Sequence, residues 1–159
     1  MLKKRIIPLL LLMDDRLVKT VNFNNFKDVG NPVSSAKIFS NSDADELILL
    51  NINRENRLSG SLIPVLKEIS EECFIPISVG GGINSFNDAS EIIKNGADKI
   101  IINSICYKNY NFVKNLANKL GRQAVVASID VKKINNKYVL FSNCGKKLNQ
   151  VSLEEHISK

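Results

Sequence analysis

The segment FIPISVGGGINS, residues 74–85, leaves an apolar run through three consecutive glycines and meets Ser85 with helix-starting chemistry. Glycine has no Cβ and adopts positive φ without strain, but ordering it costs more backbone entropy than ordering any other residue. Three in succession at a strand end fit a tight turn. They also fit a place where a ligand, often a phosphate, approaches bare N–H groups near a helix N-terminus. Ser85 with Asp88 makes a capping-box start for a helix reaching about Asn95.

The same unit recurs on both sides. RIIPLLLL (residues 5–12) is a continuous apolar run, as expected for a strand buried on both faces. A long polar loop is expected to follow, up to Asn31, which caps a helix with Pro32 at its first position and an end near Ser40. ELILLNI (46–52) is a second strand. A helix over about 60–72 follows, with Ile63, Leu66, Lys67 and Ile69 along one stripe. After the third strand, FIPISV, come a fourth, KIIINS (99–104), a helix over about 109–120 stopped by Gly121, and a fifth strand, QAVVASIDV (123–131). Residues 132–147 then break the rhythm and read as a β-hairpin turning at Asn135 and Asn136, before Ser152 and Glu155 start a last helix.

Two stretches repeat. DADELILLNI (43–52) aligns with GADKIIINSI (96–105), so that Ala44 meets Ala97 and Asp45 meets Asp98 at an offset of 53 residues, two βα units. Alternating strands and helices call for a parallel sheet with right-handed crossovers. A closed eight-unit barrel typically takes about 250 residues. The expected architecture is therefore an incomplete (βα)8 TIM barrel of about five βα units plus the hairpin, forming one domain over residues 1–159.

Composition narrows the function. The chain is 44% hydrophobic and carries a net charge of +6, with its lysines spread rather than clustered among aromatics. That disfavours a nucleic-acid module and suits an anionic substrate. No run of 18 apolar residues exists, so no membrane span is expected, and IIPLLLLM is followed at once by charges rather than by a cleavage site. Cys73, Cys106 and Cys144 are odd in number and lack metal-binding spacing, the pattern of reduced cytoplasmic thiols. His156, the one histidine, has no partner spacing and is expected on the surface.

In order along the chain stand RIIP (5–8), DxRxVKxVNF (14–23), GxP (30–32), DADEL (43–47), FIPISVGGGINS, GADKIIINS (96–104) and QAVVASID (123–130). Together they closely resemble the cyclase subunit of imidazole glycerol phosphate synthase, a (βα)8 barrel, over essentially the whole chain. The resemblance implies a cytoplasmic enzyme of histidine biosynthesis that takes ammonia from a glutaminase partner and reacts it with a bis-phosphorylated small-molecule substrate. It implies neither a metal nor an organic cofactor.

Residue by residue, the resemblance makes Asp130 a general acid and counts Lys19 with it as catalytic, in a loop over the substrate where a lysine can attract phosphate. It gives Gly82, Asn103 and Ser104 to a phosphate site. It assigns Arg5, Glu46 and Lys99 to an ammonia gate at the barrel floor, and Asp98 to the glutaminase face. The family's second catalytic aspartate falls at Leu11, and Asn51 replaces another acidic residue. Loss of one member of an acid–base pair typically removes about 10² to 10⁴ in rate. This departure also fits a non-cyclising paralogue that passes ammonia to an amidotransferase of surface-sugar biosynthesis. An inactive truncated remnant is the third expectation.

Overall fold

The computed structural model describes residues 4–21, 24–53 and 62–158. The expected helix start at Gly60 and the Asn22–Phe23 end of the VNF motif lie outside the described residues. Five strands lie parallel: β1 (Leu9–Met13), β4 (Leu47–Asn51), β5 (Ile77–Gly80), β6 (Lys99–Ile102) and β7 (Val125–Ala127). Each pairs with the one before it in the chain, so the order never reverses. With right-handed crossovers, that singly wound order sends every connecting helix to the same face. It is the arrangement of a barrel wall rather than of a doubly wound sheet, which has helices on both faces. Among the described residues the wall is open.

Side-chain alternation explains the two faces. Leu10, Leu12, Leu47, Leu49, Ile77, Val79, Ile100 and Ile102 point to the helices and form the core. The helices are α1 (Pro32–Asn41), α2 (Leu62–Glu72), α3 (Phe86–Lys94), α4 (Ser104–Lys108) and α5 (Tyr110–Leu120), and they contribute Ala36, Leu66, Ile69, Ile92 and Leu116. Lys67, expected in the α2 stripe, is exposed, and Val65 takes the buried place. The opposite face carries two rows in register. One runs Leu9, Ile48, Ser78, Lys99; the other runs Leu11, Leu50, Gly80, Ile101, Val126.

The internal repeat is a repeated structural device. The Asp45 carboxylate accepts from Ile6 N–H at 2.7 Å, and Asp45 N–H returns a bond to Ile6 O. Asp98 does the same with Ile77, its carboxylate accepting at 2.8 Å. Each aspartate pins the start of one strand to the start of the preceding one.

The structure corrects several expectations. The polar stretch after β1 is not a loop but an antiparallel hairpin, β2 (Arg16–Val21) and β3 (Asn24–Gly30), added to the sheet edge beside β1. Leu17 and Val18, adjacent residues both buried at a register shift in the β2–β3 pairing, hold this strand to the sheet against the local polarity. The fifth strand is interrupted. A 3₁₀ turn (Arg122–Ala124) precedes β7, and Asp130 opens β8 (Asp130–Ile134) in a separate three-stranded sheet with β9 (Lys137–Ser142) and β10 (Lys147–Asn149). The expected hairpin is present, with Asn135 and Asn136 both at positive φ, as a type I′ turn needs. α6 (Leu153–Ser158) starts at the expected Ser152 cap, whose hydroxyl accepts from Glu155 N–H at 3.1 Å. His156 is not a surface residue: it is buried, with its ring 4.2 Å from that of Tyr107 and parallel to it.

Candidate active site at the strand ends

The three glycines do different things. A Cβ on Gly80 would meet Leu50 Cδ2 at 2.7 Å and Ile101 Cβ at 2.8 Å, because Gly80 sits between them on the helix-free face. Gly81 has φ of 107°, and a Cβ there would run into the Asn51 carbonyl. Tight packing therefore accounts for two of the three. Gly82, at φ 78°, faces a cleft of about 150 Å³ at the C-terminal ends of β4 to β7. The capping box follows as expected: Ser85 Oγ accepts from Asp88 N–H at 3.1 Å, and Asp88 accepts from Ser85 N–H at 2.8 Å.

The cleft brings together Gly82, Asn103, Ser104 and Asp130. Ser104 is not strand, as expected, but the first residue of α4, with Asn103 before it as N-cap. The Ser104 hydroxyl accepts from Asn143 N–H at 3.0 Å, which leaves its own proton free to donate. Asp130 stands three residues beyond β7 and still reaches the mouth. Burial raises its pKa above the ordinary carboxylate value, and a hydrogen bond from Asn103 pulls the other way without cancelling the rise. Asn103 therefore acts on Asp130 as well as standing in the place the resemblance assigns to phosphate. The Asn103 Oδ1 is buried and unpartnered among the described residues.

Some expected residues are elsewhere. Lys19 is exposed on β2, opposite Lys27, and does not line the cleft. Leu11 belongs to the apolar row, paired with Leu50, which itself forms part of the cleft wall. Asp14 does not take its place; its carboxylate accepts from Asn53 Nδ2 at 2.6 Å. Asn51 is buried and accepts from Asn53 N–H at 2.9 Å. Sequence reasoning missed Ser128, Asn143 and Cys144, which also line the cleft. Asn143, Cys144 and Gly145, three successive residues at positive φ, hold that turn against α4. The SNCG run was the available signal.

A second polar cluster lies at the other end of the strands. The buried Glu46 accepts from Lys99 Nζ and from Ser78 Oγ, both at 2.6 Å. Burial alone would raise the Glu46 pKa, but these two hydrogen bonds and the charges of Lys99 and Arg5 outweigh it, and the net shift is downward. Glu46 and Lys99 occupy equivalent places in the internal repeat with opposite charge, and they pair across β5. Arg5 is exposed, ahead of β1, and acts on Glu46 through its charge. Asp98 is exposed on the same end, with one carboxylate oxygen held by Ile77 N–H. Ser78 was not anticipated; its signal is a lone hydroxyl inside IPISVG.

Fold and site thus define a βα-barrel-type protein: a singly wound parallel sheet with a glycine turn, polar helix start and carboxylate at its C-terminal mouth. The chain belongs to the histidine biosynthesis protein family, whose model matches residues 5–159. It is 39% identical over 150 residues to the imidazole glycerol phosphate synthase subunit HisF of Chlorobium chlorochromatii, covering 94% of this chain and 60% of that protein. The HisF of Flavobacterium psychrophilum is 41% identical over 153 residues, covering 96% and 61%. That of Campylobacter concisus is 42% identical over 143 residues, covering 90% and 57%. The chain therefore spans about three-fifths of the length of the curated relatives it matches. Among the described residues no helix is long and apolar enough to cross a membrane.

Proposed function

We propose that the strand-end cleft belongs to a cyclase subunit of the imidazole glycerol phosphate synthase type, acting in histidine biosynthesis in the cytoplasm. The observation that carries this reading is the convergence of Gly82, Asn103, Ser104 and Asp130 on one cleft. The Gly82 and Ser104 backbone amides and the free Ser104 proton offer donors to one phosphate of a bis-phosphorylated substrate. Asp130, with its proton affinity raised by burial, is suited to give a proton to the reacting group as general acid. Lys19 would come to the phosphate only by movement of the β2–β3 hairpin.

Ammonia would arrive from a glutaminase partner at the opposite end, past Arg5, Glu46 and Lys99, with Asp98 at the partner face. The closed Glu46–Lys99 pair supports a gate that must part to let a small neutral molecule through. The test is ammonia-dependent turnover of the bis-phosphorylated substrate, together with the melting temperature in added inorganic phosphate. Phosphate should raise the melting temperature of the chain, and Ser104→Ala should lose the rise. A chain indifferent to phosphate and inert with ammonia would overturn the reading.

One observation favours a second reading. The family's other aspartate is replaced by Leu11 inside a continuous apolar row, Leu11–Leu50–Gly80–Ile101, which lacks a substitute acid. A non-cyclising ammonia conduit, serving a separate amidotransferase, needs the gate and the partner face but not the acid–base pair. Leu11→Asp separates the two readings. A gain of about 10²-fold or more in ammonia-dependent cyclisation supports a cyclase site lacking one group. No gain, with glutaminase stimulation intact, supports the conduit.

A further inference from the structure

Residues 131–149 carry five lysines, Lys132, Lys133, Lys137, Lys146 and Lys147, and no acidic residue. All five are exposed. Among the described residues the ion pairs are Arg16–Asp28, Lys37–Glu72 and Lys99–Glu46, so none of the five lysines has a carboxylate partner there. The small sheet gathers them at one place. β8 springs from Asp130, and β9 returns to Ser142, directly before Asn143 and Cys144; Asp130, Asn143 and Cys144 all line the strand-end cleft. At about 3.4 Å per residue, Lys132, Lys133 and Lys137, the last paired with Ile134, stand roughly 7, 10 and 14 Å along the hairpin from Asp130. Lys147 pairs with Ser142, and Lys146 N–H bonds to Asn143 O at 3.3 Å, so these two lysines sit beside the turn. Lys132 and Lys137 are diagonal neighbours, about 7–8 Å apart, on the face that carries Asp130. Like charges at that spacing repel, and nothing in residues 131–149 offsets them.

We propose that this lysine hairpin is an electrostatic collector for the cleft: its field draws multiply charged anions to the mouth and favours a bis-phosphorylated molecule over a mono-phosphorylated one. The lysines lie within one or two screening lengths of the mouth, a length of about 8 Å at physiological ionic strength. Their contributions add, because all five have one sign. The energy of an anion in the field scales with its charge, so a ligand with two phosphates gains about twice what a ligand with one gains. Steering of this kind raises association rates by about 10- to 10³-fold at low salt. Lysine suits the role, since a compact charge on a flexible stem acts at a distance without the fixed geometry of a bidentate contact. Selection by charge count is thereby set by the hairpin, outside the residues given to phosphate contact.

This inference rests on the reading of the cleft as a site for a bis-phosphorylated substrate, but its test measures the field and needs no phosphate to bind. Cys144 lines the cleft, and the other two thiols, Cys73 and Cys106, are buried. The full chain is treated with two methanethiosulfonates of similar size, one bearing a sulfonate and the other a trimethylammonium group, and labelling of Cys144 is timed by mass spectrometry. The ratio of the anionic to the cationic rate removes any change in the thiol itself. Lys132→Gln, Lys133→Gln and Lys137→Gln together should cut that ratio about tenfold at an ionic strength of about 0.01 M, where the screening length is about 30 Å, and less than about twofold at about 1 M. Lys132→Arg, Lys133→Arg and Lys137→Arg together keep the charge and should keep the wild-type ratio. An unchanged ratio in the glutamine variant at low salt overturns the proposal. So does a loss that persists undiminished at high salt, or one that the arginine variant shares. A ratio that behaves as expected in a chain whose melting temperature ignores inorganic phosphate would uphold the field and count against the proposed function.

Discussion

Asp130 is a carboxylate whose surroundings oppose its charge. Its pKa lies above the ordinary 3.8, raised by burial against the pull of Asn103. A raised carboxylate pKa favours the fold below the unfolded value and loses that contribution as pH rises through the folded value. Asp130→Asn should therefore raise the melting temperature at pH 7, with the gain shrinking to nothing near pH 3, while any acid-dependent turnover disappears. Glu46 has the opposite sign. Its pKa lies below the ordinary 4.5, so its contribution is present above about pH 4.5 and is lost as pH falls through the folded value. Lys99→Met leaves Glu46 buried without its cation and should cost about 2 kcal/mol in urea unfolding at pH 7. The gap to wild type should narrow as pH falls below the ordinary carboxylate value and Glu46 takes up its proton. The charge types at positions 46, 98, 99 and 130 were legible from the sequence. The pairing of Glu46 with Lys99 and the burial of His156 were not, since both depend on which strands and helices become neighbours.

Elements here are set by local chemistry wherever the partners are close in sequence. Asn31 accepts from Ser34 N–H at 2.9 Å, Ser85 and Asp88 close their box, and Asn135–Asn136 turn the hairpin, all as read from the residues. Ser85→Ala should cost about 1 kcal/mol, seen as a fall of about 3 °C in melting temperature by circular dichroism. Gly81→Ala should do far more, about 3 kcal/mol or beyond, since a positive φ and the Asn51 backbone both exclude a methyl group. Failures of reading came where neighbours override propensity. QAVVASIDV is a continuous strand by composition, yet Ser128 N–H turns to Ile102 O and Asp130 begins pairing with Phe141. The hairpin of β2 and β3 forms because the edge of β1 offers unpaired backbone groups to a strand that buries Leu17 and Val18.

Across the whole molecule, stability should be graded. β4, β5 and β6 are paired on both sides and backed by the helix-face core, whereas β8 to β10 form their own small sheet with an exposed outer side. Hydrogen exchange should find the slowest amides in residues 47–51, 77–80 and 99–102, and much faster exchange in residues 130–142 through local opening. Uniform protection across both sheets would contradict this grading. Asn143 and Cys144, which line the cleft, lie on the module expected to exchange faster.

By itself the sequence determined the alternation of parallel strands with most of the helices between them, the helix caps, the closing hairpin and the residues that could bear chemistry. Those are matters of period, turn residues and charge at strand ends, which act over a few residues. Only the tertiary structure decided that Glu46 meets Lys99, that Asn103 and Asp130 line one cleft, that Lys19 stays outside it and that Leu11 joins an apolar row. Each of these depends on strand register and helix placement, and a shift of one residue in register would put every side chain on the other face.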